Sequence, residues 1–131
     1  MKGKLIVLGL NKTEIVDFEG TDDELSSIIK KHIGGWMEIV HPKSLEEPYC
    51  MVVDEEGRLK GLKTNIIASA LYNYKNIGYE PIVGTVVLLK MSMGNEGPDL
   101  DILSPLESFK LSSYLIKFMA NEVTTNVKAK R

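Results

Sequence analysis

Apolar positions along the chain form short β-type runs separated by polar turns, and stretches with helical spacing lie between some of these runs. A run of β-branched and aromatic residues bounded by Gly, Pro, Asn or Asp is typical of a strand that is buried on one or both faces. Because turn-forming residues join several of the runs, neighbouring strands are predicted to pair as hairpins. The predicted strands are Lys4–Leu10, Glu14–Phe18, Trp36–Val40, Tyr49–Val53 and Ile82–Met91.

Two helices are predicted between these strands from their capping residues. The first begins with a capping box formed by Thr21 and Glu24, and it ends at Gly34, where glycine readily takes a left-handed conformation. The second is predicted over Ile66–Tyr74, and Asn65 before it is a competent N-cap.

A third helix is predicted near the carboxyl end, over residues 105–123. Ser104 is a good N-cap, Pro105 suits the first helical position, and Glu107 completes a capping box. The predicted apolar face of this helix must be covered, either by the sheet of the same chain or by a second copy in a homodimer. That face contains Leu111, Leu115, Phe118 and Met119.

Together the elements predict an α+β fold with a mostly antiparallel sheet of about five to six strands and three helices on one face or at one end. A split arrangement with one parallel strand pair is the alternative. At 131 residues the chain is predicted to form a single domain. Within it we expect a core over residues 1–90, a loop over 91–104, the helix over 105–123 and a basic tail over 124–131.

Composition narrows the classes of partner and location. The formal net charge is -2, which argues against a strongly basic protein that binds duplex nucleic acid. Cys50 is the only cysteine and lies in a predicted strand, so it is expected to be a buried, reduced residue. The first apolar run is too short for a signal peptide or a membrane span, so we expect a cytoplasmic protein that does not enter a membrane.

No catalytic residues, metal site or cofactor are predicted. The sequence lacks glycine-rich phosphate-binding motifs and the nucleophile motif of hydrolases. An enzyme site assembled from scattered residues is the least favoured alternative, and His41, Cys50 and Asp54 are its candidates.

Basic and aromatic residues near the second helix form the candidate binding site. Cations beside the amino end of a helix suit a small anionic ligand such as a nucleotide, and aromatic rings provide a surface on which a base stacks. In the alternative interpretation Trp36 belongs to the sheet core, Tyr72 covers the core, and the basic side chains are a solvated rim. The predicted ligand-binding residues are Arg58, Lys60, Lys63, Asn65, Trp36 and Tyr72.

A set of landmark residues runs through the middle of the chain, namely Gly34, Gly35, the Glu55-Glu56-Gly57 turn, Leu59, Asn65 and Gly84. With these landmarks the chain resembles an uncharacterised family of small domains found mostly on bacteriophages, plasmids and other mobile elements. The resemblance covers Lys4 to Lys90. The chain departs from the family by a longer and more helical segment between Asn65 and Pro81 and by an added segment after Lys90.

The resemblance, the absence of catalytic motifs and the basic segment from Arg58 to Asn65 together predict a non-enzymatic accessory protein in the cytoplasm of a bacterial host. Such a protein is expected to act in counter-defence by sequestering a small nucleotide signal or by binding a host protein. The alternative is a module that binds single-stranded nucleic acid through Arg58, Lys60, Lys63 and the basic tail.

Overall fold

A computed structural model describes residues 1–72 and 81–129 of the protein, with side chains over 1–72 and 81–121. Within these ranges no helix combines the length and the apolar composition that crossing a membrane would require. The elements, in chain order, are β1 (Lys2–Leu8), β2 (Thr13–Glu19), α1 (Asp22–Ile33), β3 (Met37–Val40), β4 (Tyr49–Asp54), α2 (Ile66–Tyr72), β5 (Val86–Gly94), β6 (Gly97–Asp101) and α3 (Pro105–Ala129).

The six strands form one sheet with the order β2-β1-β5-β4-β3, and β6 pairs with β5 outside this path. Lys90 of β5 lies opposite Tyr49 of β4 and also opposite Asp101 of β6, so β6 runs along the same side of β5 as β1. Every pairing between these strands is antiparallel. The predicted α+β fold with an antiparallel sheet is therefore confirmed, and the alternative with a parallel pair is wrong for the described strands.

The central strands are buried on both faces, because successive side chains alternate between two hydrophobic cores. In β1, Leu5 and Val7 pack into the core beneath α1, whereas Ile6 and Leu8 pack into the core beneath α2 and α3. The helices thus lie on both faces of the sheet, which corrects the expectation of one face or one end. A strand that is apolar at successive positions needs cover on both sides.

The segment 91–104, which was predicted to be a loop, contains a β hairpin instead. Strand β5 continues to Gly94, and Gly97 turns the chain with a φ of 111° into β6. Strand β6 is short and partly exposed, and it contains a glycine, a proline and two aspartates, so its composition resembles that of a loop. In this hairpin Met91 lies opposite Leu100, and Met93 lies opposite Pro98.

Helix α3 has the predicted capping box, since the Glu107 amide donates to Ser104 Oγ and Glu107 Oε1 accepts from the Ser104 amide. Leu111 and Leu115 are buried against the sheet of the same chain. The helix runs to Ala129, which is beyond the predicted end at residue 123.

Parts of two predictions lie outside the described residues. They are the end of the second predicted helix, at Tyr74, and residues 130–131 of the basic tail, together with the side chains of its helical part.

Candidate functional site

The site is built around Asp54, the last residue of β4, whose side chain is 1% exposed. Its Oδ2 accepts a hydrogen bond of 2.7 Å from Lys60 Nζ, and its Oδ1 accepts one of 2.9 Å from the Glu56 amide. Burial alone would raise the pKa of Asp54, but the bonds from Lys60 and the Glu56 amide, with the Lys60 charge, hold that pKa below its usual value. Asp54 is therefore a buried carboxylate that closes the turn after β4.

The same ion pair ties this turn to the connection between α1 and β3. Lys60 Nζ also donates to the Gly34 carbonyl over 3.0 Å, and Gly34 ends α1 in the left-handed conformation with a φ of 83°. A Cβ on Gly35 would lie 2.6 Å from both Asp54 Oδ1 and Lys60 Nζ, so only glycine leaves room for the pair. We call this assembly, Gly34–Trp36 with Asp54–Gly61, the Asp54 corner.

A small pocket of about 90 Å³ opens beside the Asp54 corner. Arg58 borders it and donates to the Pro81 carbonyl over 3.1 Å, while Leu59 borders it with 89% of its surface exposed. Of the described residues, Glu38, Asp54 and Glu55 line it with one cation, Arg58. Because Asp54 is paired with Lys60, the negative charge that faces the pocket comes from Glu38 and Glu55. This charge balance disfavours an anionic ligand in the pocket.

Trp36 lies at the same end of the β3–β4 hairpin but is not in the sheet core. Its carbonyl accepts from the Glu55 amide over 2.9 Å, whereas its side chain is 64% exposed. Lys30 Nζ of α1 stands 4.8 Å from the ring centroid, which is a cation–π distance. The interpretation of Trp36 as core is therefore wrong, because β3 begins one residue later, at Met37.

Asn65 is part of the fold and not of a ligand surface. Its residue is 2% exposed, its Nδ2 donates to the carbonyls of Leu8 and Gly84, and its Oδ1 accepts from the Ala68 amide. These three bonds cap α2 and join it to β1 and to the segment before β5. The side-chain amide is thus engaged inside the protein, which removes Asn65 from the predicted binding site.

The remaining predicted residues do not assemble into one anion site. Lys60 Nζ donates hydrogen bonds to Asp54 and to the Gly34 carbonyl. Lys63 is exposed but does not line the pocket. Tyr72 is half-buried against the core beneath α2 and α3, whereas Trp36 stands beside α1 on the other face of the sheet. The structure therefore groups Trp36, Arg58 and Lys60 at the Asp54 corner and separates the other three.

The candidates for an enzyme site differ in their exposure. Cys50 is fully buried in β4, and this burial raises the pKa of its thiol to about 11, while His41 is exposed in a loop. The Cys50 thiol is therefore closed to solvent. Within the described part of the chain, no group of three or more His, Cys, Asp or Glu residues is placed to hold a metal ion.

Sequence reasoning missed the role of Gly35 and the place of Glu38. Glu38 lines the pocket because it lies opposite Val53 in the β3–β4 register. The sequence did contain a signal for this position. Pairing the predicted strands Trp36–Val40 and Tyr49–Val53 as a hairpin places Glu38 near the turn that follows the second strand. The close approach of Gly35 to Asp54 depends on how α1 ends above β4, and no local pattern contains that information.

Comparison with known proteins gives one family. The family described as Domain of unknown function (DUF3846) matches residues 1–106. The match includes all six strands and ends at the second residue of α3, so the added segment begins after residue 106 and not after Lys90. No curated protein and no solved structure matches the chain.

Proposed function

Since the chain belongs to the DUF3846 family, a domain of unknown function, we propose that it is a non-enzymatic accessory binding protein. In this proposal it belongs to a phage or another mobile element, as the resemblance of its landmarks implies, and its Asp54 corner binds a protein of the bacterial host. The partner presents an apolar side chain to Leu59 and a basic group to the acidic lining of the pocket.

Exposed side chains at the Asp54 corner support this proposal, because their backbone is fixed by hydrogen bonds and by the Asp54–Lys60 ion pair. Leu59 is 89% exposed and Trp36 is 64% exposed, and the exposed Arg58 lines the pocket while it donates to the Pro81 carbonyl. Trp and Arg are among the side chains that contribute most to protein–protein binding. The pair of buried Asp54 with partly exposed Lys60 fixes the turn that carries Arg58 and Leu59, which lowers the entropy lost on binding.

The size and charge of the pocket favour a protein over a nucleotide. Sites for small molecules usually enclose roughly 300–1,000 Å³, whereas this pocket encloses about 90 Å³. Glu38 and Glu55 in its lining would repel phosphate groups. A basic side chain of a partner fits the same carboxylates, and a flat protein surface needs no deep pocket.

Photo-crosslinking tests the proposal directly in the native bacterial cells. A photoreactive residue replaces Leu59 at the corner or, as a matched control, Glu19 on the opposite edge strand β2. We expect one host protein to be captured from position 59 and not from position 19. Capture of no protein from position 59, or the same set of proteins from both positions, would overturn the proposal.

A second candidate, a nucleotide, is favoured only by the exposed ring of Trp36 beside Lys30. Calorimetry with a panel of cyclic and linear nucleotides tests this candidate. Binding that Trp36→Ala abolishes and Glu19→Ala leaves intact would support nucleotide sequestration in place of a host protein. A steep decrease in affinity for single-stranded nucleic acid with added salt would instead support the nucleic-acid alternative.

A further inference from the structure

Helix α3 carries a second apolar stripe that the core does not use. Leu106 is 61% exposed, Phe109 is 68% exposed and Ile116 is 69% exposed, at spacings of three and seven residues. Ser113 falls between Phe109 and Ile116 and completes a spacing that alternates between three and four residues. This alternation is the pattern of a seam along which two helices pack.

The stripe points away from the body of its own molecule. Ser108, Leu111 and Leu115 form the buried side of α3. At 100° per residue, the centre of the exposed stripe lies roughly 140° around the helix from the centre of the buried side. The sheet therefore covers one side of α3 and leaves the other open to a partner.

We propose that this stripe, formed by Leu106, Phe109, Ser113 and Ile116, docks onto the same stripe of a second copy. A seam with alternating spacing complements an identical seam, and a two-fold dimer places the same patch on both partners. Because the buried sides face away from the contact, the two sheets lie on the outside of the helix pair. This homodimer does not depend on the proposed host partner.

The area of the stripe fits a reversible dimer. Its three large side chains expose on the order of 400 Å² per copy, so pairing buries roughly 800 Å² before the neighbouring helix surface adds to it. Ala120 and the stems of Lys110 and Lys117 border the seam and extend this area. The total lies at the low end of interface sizes, below about 1,200 Å², where complexes are weak and association depends on concentration.

A dimer would let two Asp54 corners bind the same partner. Two copies carry two corners, so a host partner that is itself oligomeric would be held at two points. Binding at the second point then benefits from a high effective concentration.

Sedimentation velocity between micromolar and millimolar protein tests the proposal. We expect the wild-type mass to rise from that of a monomer to that of a dimer over this range. Ile116→Glu and Phe109→Glu, which place a charge in the seam, should each weaken association at least tenfold and leave the circular dichroism spectrum unchanged. Asn121→Glu is the matched control, because this exposed residue lies on α3 outside the stripe, and it should dimerise like wild type.

Three outcomes would overturn the proposal. They are a wild-type protein that stays monomeric at every concentration, a dimer that persists unchanged in both seam variants, and equal weakening by Asn121→Glu. The proposed host binding is measured separately by cross-linking at position 59, so either proposal fails without the other.

Discussion

Asp54 shows how a single buried charge organises the candidate site. A carboxylate that is 1% exposed needs partners, and it has Lys60 and the Glu56 amide. Lys60 in turn reaches the Gly34 carbonyl, so one ion pair connects a turn, a strand end and a helix end. The exposed side chains of the Asp54 corner depend on this pair for their position.

Replacing Lys60 with Ala should lower the free energy of unfolding by about 1–3 kcal/mol, because Asp54 would stay buried without its charged partner. The side chain of Lys60 is 39% exposed, so water screens part of the pair and the loss should fall below that of a fully buried one. Urea unfolding measures the change. Lys63→Ala is the control, since that exposed residue should alter stability by less than about 0.5 kcal/mol.

The lowered pKa of Asp54 predicts the pH dependence of this contribution. The unfolded carboxyl titrates at about pH 3.9, so the stabilisation is complete above this value and is lost as the pH falls through the lower folded-state pKa. The stability difference between wild type and Asp54→Asn should therefore be largest near neutral pH and should shrink below about pH 4. Glu107, whose pKa is also lowered, is present in both proteins and cancels.

A difference that stays constant from neutral pH to pH 2 would contradict this assignment of the Asp54 charge. Urea unfolding of both proteins at several pH values over that range provides the comparison.

Among the helices and strands, the sequence correctly predicted the features that depend on residues close together in the chain. The capping boxes at Thr21 and Ser104, the end of α1 at Gly34 and the paired strands β3 and β4 are all confirmed. The caps depend on residues a few positions apart, and β3 and β4 are joined by one short polar connection, so a pattern in the chain contains the necessary information.

The elements that were missed depend on contacts between distant segments. Strand β6 forms because β5 extends beyond β1 and offers an open edge, which the polar composition of 97–101 does not reveal. Long-range contacts also decide where the predicted ligand-binding residues lie. Asn65 caps α2 as predicted, and its amide donors also bond the carbonyls of Leu8 in β1 and Gly84 before β5.

Asn65→Ser should therefore be destabilising, although Ser is a good N-cap. Serine can still accept from the Ala68 amide, but it leaves the buried carbonyls of Leu8 and Gly84 without the donors they now have. The expected cost is about 1–3 kcal/mol in the free energy of unfolding. Equal melting temperatures for wild type and Asn65→Ser would show that capping alone explains this residue.

For the whole molecule, α3 is the main feature outside the family match, yet it completes one of the two cores. Leu111 and Leu115 pack with β1, β4 and β5 beneath α2 and α3. The segment beyond residue 106 is thus part of the folded body of this chain and not an appendage to it.

Leu115 and Ile116 are adjacent in sequence but lie on different sides of α3, so their substitutions distinguish the core side from the exposed side. Leu115 is 2% exposed, so Leu115→Ala should cost about 2–5 kcal/mol by leaving a cavity in the core. Ile116 is 69% exposed, so Ile116→Ala should change the unfolding of dilute monomer by less than about 0.5 kcal/mol. Thermal unfolding at low protein concentration makes the comparison, and similar losses in both variants would contradict the orientation of α3.

The central claim is that the Asp54 corner is a protein-binding surface, and calorimetry on its cross-linked partner tests it most directly. The purified partner is titrated into wild type, Leu59→Ser and Glu55→Lys, with Glu19→Lys on the opposite edge as the charge-matched control. We predict that both corner variants bind at least about tenfold more weakly with unchanged melting temperatures, while Glu19→Lys binds like wild type. Wild-type affinity in both corner variants would contradict the claim.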